Sequence, residues 1–123
     1  MRITAIIAAL LLQGWCQMAS ACEPIERYTA RLGPRDHFNS QGVRLSSPAA
    51  IIRQDRANFH QFGVRDPEDE GDEFFSSKEN RERLERMLDS AWVASDIARV
   101  VVNDTPLVDV TVCAGGHLQV NVR

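Results

Sequence analysis

Four residues of this chain could carry out acid–base chemistry: Asp36, His37, Asp55 and His60. A carboxylate that orients a histidine is the arrangement of a general base. These residues could meet if the loop of residues 35–42 folds over a central helix within residues 45–62. However, the sequence has no Gly-x-Ser-x-Gly elbow, His-Glu-x-x-His pair or phosphate-binding glycine loop. A small periplasmic hydrolase that uses the four residues is therefore the alternative function and not the leading one.

Residues 66–73 are a second candidate site, because six of the eight are acidic. Four side chains of this segment have the spacing of calcium ligands in a helix–loop–helix site: Asp66, Glu68, Glu70 and Asp72. The position that needs a bidentate glutamate is occupied by Ser77, so we expect no metal site and no cofactor. The segment is predicted to be a solvated acidic loop. In a third interpretation it is the docking loop of an inhibitor, whose binding to a basic partner would weaken steeply with salt.

The first 21 residues have the pattern of a secretory signal peptide. Arg2 precedes an apolar run over residues 3–12, and Ala19-Ser20-Ala21 matches a cleavage site. The apolar run is much shorter than the roughly 20 residues that span a bilayer, although an N-terminal anchor helix is the alternative. We therefore predict a signal peptide at residues 1–21, one small domain at residues 22–123, no transmembrane span, and a periplasmic or secreted protein.

Two cysteines, Cys22 and Cys113, would remain after cleavage. Exported proteins fold in an oxidising compartment, so this pair is predicted to form one disulfide. In a competing interpretation Cys22 carries a lipid anchor, because small residues precede it. The formal net charge of −3 argues against a nucleic-acid partner, whose binding surface on the protein would be basic. The expected partner is an unknown protein or small ligand.

The best-defined helix of the sequence lies within residues 45–62. Ser47 suits the N-cap, Pro48 suits the first helical position, and Gly63 supplies the C-terminal stop. At roughly 100° per residue, one face of this helix is apolar. That face carries Ile51, Ile52, Phe59 and Phe62.

Asp55 falls in the middle of the apolar face of this helix. A buried carboxylate needs a partner, which could be the backbone N–H groups of residues 35–42 or an arginine. Arg44 and Arg65 are the expected arginines, whereas Arg56 is predicted to lie on the opposite, solvated side. Pairing of this kind would lower the pKa of Asp55.

A second helix is predicted to open at Ser76 with a capping box to Glu79. Its end is expected within residues 90–94. Arg81 is expected to be solvated. The predicted buried stripe consists of Leu84, Met87, Leu88 and Ala91.

Alternation of apolar and polar residues predicts strands at both ends of the mature chain. Residues 28–32 form the first strand, residues 43–45 are a possible short second strand, and the β-branched residues 97–102 are a further candidate. The last strands form a hairpin around residues 114–116. A three-residue loop there pairs Val112 with Leu118 and makes one face wholly apolar.

These elements predict an α+β fold, in which a small antiparallel sheet carries two helices on one face. The sheet is made by the N-terminal strand and the C-terminal hairpin. Because the sequence has no catalytic signature, the leading interpretation is a small exported non-catalytic binding or structural module. A pocket that brings His37, His60 and Asp55 within hydrogen-bond distance would instead favour the hydrolase.

Overall fold

A computed structural model describes residues 22–88 and 93–123 of the chain. The predicted signal peptide and part of the predicted end of the second helix lie outside these residues. The strands are β1 (Pro24–Arg31), β2 (Leu107–Cys113) and β3 (His117–Val122). The α-helices are α1 (Pro48–Ala57), α2 (Lys78–Glu82), α3 (Leu84–Met87) and α4 (Ser95–Asn103). The predicted α+β class is confirmed.

The three strands form one antiparallel sheet in the order β1-β2-β3. The register predicted for the hairpin is confirmed, with Val112 opposite Leu118 and Val110 opposite Val120. Gly115 and Gly116 both have positive φ, which the short loop requires and which glycine adopts without strain.

The core of the domain lies between the inner face of this sheet and the helices. The sheet contributes Tyr28, Ala30, Val108, Val110, Val112, Leu118 and Val120. The helices contribute Ile51, Ile52, Leu84, Met87 and Val101. The outer face carries polar side chains, as the alternation along the strands predicted. Thr29 there donates from Oγ1 to Asp109 at 2.7 Å.

The strand predicted at residues 97–102 is wrong, because this segment lies within α4. Ile97 and Val101 are one helical turn apart and both pack on the core, while Asp96 and Arg99 are exposed. The burial pattern therefore has the helical period, and packing outweighs the β-propensity of the branched side chains.

Two other predicted elements differ from the structure. The N-cap of α2 is Ser77 and not Ser76, because a 3-10 turn at Phe74–Ser76 precedes the helix. Arg81 is buried, since its guanidinium donates to the carbonyls of that turn. The strand predicted at residues 43–45 is a single bridge between Phe38 and Arg44.

A disulfide joins Cys22 to Cys113, with the two Cα atoms 5.1 Å apart. It continues the pairing of β1 with β2, where Pro24 lies opposite Cys113. A sulfur atom held in this bond cannot also carry a lipid. The disulfide is compatible with an oxidising extracellular compartment. Among the residues described, no helix has the length and apolar character needed to cross a membrane.

Candidate functional site

The central helix positions the candidate residues. Ser47 accepts a hydrogen bond at Oγ from the backbone N–H of Ala50, and α1 then runs to Ala57. From Asn58 to Phe62 the chain continues as a π-helical turn, which ends at Gly63 with a φ of 66°. In a π-turn each residue advances by less than the 100° of an α-helix. Phe62 therefore leaves the buried face and is 52% exposed, contrary to prediction.

Arg56 is the centre of a buried polar cluster. Its side chain is 0% exposed and lies between the rings of Tyr28 and Phe59, at 4.1 and 4.6 Å from their centroids. Its Nε donates to Asp55 at 2.8 Å, and its Nη1 donates to Asp72 at 2.9 Å. The position predicted for Arg56, on the solvated side, is therefore wrong. Its aromatic and anionic partners offset part of the cost of burying the charge.

Asp55 is buried, as predicted, with 1% of its surface exposed. Its partner is Arg56, the next residue in the chain, and not Arg44 or Arg65. The guanidinium groups of those two arginines stack on the rings of Phe38 and Phe59. Sequence reasoning missed the true partner because it assigned the two neighbours to opposite sides of the helix.

Asp36 and Asp55 form a pair of carboxyl groups beneath the loop of residues 35–42. Asp36 accepts from the backbone N–H of Gly33 and from Nδ2 of Asn58, both at 2.9 Å. Asp55 lies close enough to interact with it electrostatically, so each carboxyl group influences the pKa of the other.

Desolvation dominates the electrostatics of both carboxyl groups. Burial raises the pKa of Asp55 well above its usual range; the charge of Arg56 lowers it, and Asp36 raises it again. Burial also raises the pKa of Asp36, against hydrogen bonds that lower it. The lowered pKa expected for Asp55 is therefore wrong, because desolvation outweighs the arginine. Arg56 contacts both Asp55 and Asp72, at 2.8 and 2.9 Å.

His60 is joined to the acidic segment and not to Asp36 or Asp55. Its Nε2 lies 2.7 Å from Oδ1 of Asp72, and its side chain is 13% exposed. The side chain of Asp72 is fully buried, and its other oxygen accepts from the backbone N–H of Phe75 at 2.6 Å. The chain positions of this pair give no periodic signal that could have predicted it.

His37 is buried apart from the carboxyl groups and holds two elements together. Its Nδ1 lies 2.8 Å from the carbonyl oxygen of Gly33, and its Nε2 lies 2.9 Å from that of Val101 in α4. Carbonyl oxygens accept hydrogen bonds, and a ring nitrogen that carries a hydrogen can donate to one of them. The arrangement clamps the 3-10 turn of Pro34–His37 to α4.

The acidic segment of residues 66–73 lies along the free edge of β1. The backbone N–H of Thr29 donates to Glu70 Oε1 at 3.1 Å, and that of Arg31 donates to Asp69 Oδ1 at 2.8 Å. Glu68 pairs with the Arg31 side chain at 3.1 Å.

In these contacts, carboxylates of the segment bind groups of the same domain. The segment is a loop in which most residues are exposed, and some of its acidic side chains take the place of a neighbouring strand. Within residues 22–88 and 93–123, no three His, Cys, Asp or Glu side chains are grouped to hold a metal ion.

A groove open to solvent lies beside the buried cluster, between the 3-10 turn and the end of the central helix. Its main cavity has a volume of about 550 Å³. Phe38, 40% exposed, and Phe62 form its aromatic walls. The remaining lining residues are Pro34, Arg35, Asn39, Ser40, Gln54, Asn58 and Val64. We call this surface the phenylalanine groove.

Comparison of the chain with protein-family models, curated proteins and solved structures finds no match. The functional interpretation therefore depends on the chemistry of the two features just described. The polar cluster around Arg56 is closed to solvent, whereas the phenylalanine groove is open. Asn58 connects them, because it lines the groove and donates to Asp36 behind it.

Proposed function

We propose that the protein is a small exported non-catalytic binding module and that the phenylalanine groove is its binding surface. The observation that carries the proposal is the exposure of Phe38 and Phe62 in the lining of one cavity. Exposed apolar surface around a cavity of several hundred Å³, with a few polar groups, is typical of ligand and partner sites. Export is supported by the buried disulfide, which fits a periplasmic or secreted location.

Enclosure of the acid–base residues supports a binding module over the hydrolase. Asp36, His37 and Asp55 are all buried, and a general acid or base must come within hydrogen-bond distance of its substrate. His60 reaches the surface, but its Nε2 already contacts Asp72. Neither histidine lines the main cavity of the groove.

The inhibitor interpretation has less support than the groove. It requires the carboxylates of residues 66–73 to face a partner. In the fold Asp69 and Glu70 bind the edge of β1, and Asp72 is buried against Arg56. Only part of the acidic surface of the segment is therefore available for docking.

Site-specific photo-crosslinking tests the proposed surface. A benzophenone amino acid at position 38 or 62, in protein exported in a Gram-negative bacterium, should give a covalent adduct with the same partner, identified by mass spectrometry. The matched control places the same amino acid at Asn121, which lies on the polar outer face of the sheet. Adducts at the control position, with none at 38 or 62, would contradict the proposal.

A further inference from the structure

We propose that the phenylalanine groove binds an acidic polypeptide segment that carries an aromatic or long aliphatic side chain. This inference rests on the proposed function and names the partner of the same surface. It follows from the charges around the groove and from its elongated shape.

The charges around the groove are mostly positive. Arg35 lines the main cavity, and Arg53 lines a second cavity of about 390 Å³ beside it, together with Glu85. Arg44 lies over the ring of Phe38, with its Cζ 5.4 Å from the centroid. Among the described residues, none of these three arginines has a carboxylate within ion-pair distance.

This surface differs in sign from the chain as a whole, whose net charge is −3. Of the acids nearby, Asp66 lines an adjacent cavity together with Arg35, whereas Glu68 pairs with Arg31 and Asp72 with Arg56. Arginines around exposed aromatic rings complement a ligand that combines carboxylates with apolar groups. The two arginines that line the cavities can each pair with a carboxylate while the phenylalanines cover the apolar side chain.

The shape of the surface favours a polypeptide over a compact small molecule. The two cavities are adjacent and share four lining residues: Asn39, Ser40, Gln54 and Phe62. A compact ligand would fill one cavity, whereas an extended segment can lie across both. Its apolar side chain would occupy the main cavity between Phe38 and Phe62.

Amide chemical shifts of the ¹⁵N-labelled, disulfide-bonded protein of residues 22–123 test this inference. The probe is the blocked peptide Glu-Ser-Glu-Phe-Leu-Glu-Ser-Glu. One control peptide replaces every glutamate by lysine, and another replaces Phe-Leu by Ser-Ser. The first peptide should shift amides at Phe38, Gln54 and Phe62 and should bind at least about tenfold more tightly than either control. Raising the salt from about 50 to about 500 mM should weaken it by a similar factor.

Variants of the protein assign the interaction to the groove. Phe62→Ser should abolish the shifts, and the double variant Arg35→Gln with Arg53→Gln should weaken binding about tenfold. Arg27→Gln, on the outer face of the sheet, is the matched control and should bind like wild type. All of these positions are exposed, so spectra without peptide should keep the dispersion of the folded protein.

The outcomes separate this inference from the proposed function. Equal binding of the lysine and glutamate peptides in the groove would overturn the acidic partner but keep the groove as a binding surface. Shifts confined to the outer face of the sheet would overturn the inference, and crosslinks confined to Asn121 would overturn the proposed function. Loss of binding only in the arginine and phenylalanine variants would support both.

Discussion

Two buried layers of this small domain exclude water equally well and do so with opposite chemistry. The layer between the sheet and the helices is apolar, and Val108 there is completely buried. The layer between α1 and the acidic segment is built around Arg56, which is buried to the same degree. Apolar contacts are non-directional, whereas each charged group needs partners at fixed positions. The comparison teaches that equal burial does not mean equal tolerance of change.

Substitutions in the two layers should therefore lower the stability of the fold in different ways. Removing carbon atoms from the apolar layer leaves a cavity, and its cost depends little on pH. Removing one member of the charged layer leaves its partner buried without compensation, and that cost depends on which groups carry protons.

The largest effect is expected from Arg56→Met. The substitution keeps an apolar stem between Tyr28 and Phe59 but leaves Asp72 buried without its arginine. Unfolding in urea should show a loss of about 3 to 5 kcal/mol. Arg53→Met on the exposed side of the same helix is the control and should change stability by less than about 0.5 kcal/mol. A small effect at Arg56 would mean that the charged layer is replaceable by apolar packing.

A somewhat smaller loss, about 3 kcal/mol, is expected from Leu118→Ala in the apolar layer. Leu118 is fully buried opposite Val112, and the cavity contains no titratable group to respond to pH. Denaturation at several pH values should therefore give a constant difference from wild type. A difference that varied with pH would show that the two layers are coupled.

The substitution Asp55→Asn tests whether the stability of the charged layer depends on pH, in contrast to that of the apolar layer. The pKa of Asp55 is higher in the folded state than in the unfolded state. This group therefore makes its full contribution to stability at pH values below its unfolded-state pKa, which is near 4. That contribution is lost as pH rises through the folded pKa. The amide can replace the protonated carboxyl, so stability at neutral pH should change by less than about 1.5 kcal/mol.

The measurement is the free energy of unfolding as a function of pH. Wild type should lose stability relative to Asp55→Asn as pH rises above about 4. If wild type instead gained stability over this range, Asp55 would be a charged partner of Arg56 in the fold.

The smallest effect is expected at the exposed pair Arg31 and Glu68 on the edge of β1. Its atoms are 3.1 Å apart, but solvent screens the pair, and such pairs contribute about 0.2 to 1 kcal/mol. A double-mutant cycle with Arg31→Gln and Glu68→Gln should give a coupling in this range that decreases with salt. A coupling above about 2 kcal/mol would show that this edge behaves like the buried charged layer.

The apolar layer could be predicted from the sequence because it follows from the alternation of apolar and polar residues within short segments. Alternation along β2 and β3, with the loop of residues 114–116, determines both the buried face and the register. Residues 97–102 were the exception, since their composition suits a strand while their contacts with the core have helical spacing.

The charged layer could not be predicted, because its partners are far apart in the chain. Arg56 donates to Glu70 and Asp72, which are 14 and 16 residues away. No periodicity encodes such pairs, so the helical pattern placed this arginine in solvent. The anomaly at Asp55 was visible in the sequence, but the direction of its pKa shift depends first on the depth of its burial, which only the fold determines. The groove was missed because the π-turn rotates Phe62 outward.

The disulfide has a mechanical consequence. Tension applied upstream of Cys22 and downstream of β3 passes through the sulfur bridge directly to Cys113. The segment between the cysteines, with a sequence separation of 91, lies outside the force path. At about 3.5 Å per residue, it would otherwise release about 320 Å of chain on extension. Pulling on the oxidised protein should peel only β3 away from β2, whereas the reduced protein should extend along its whole length.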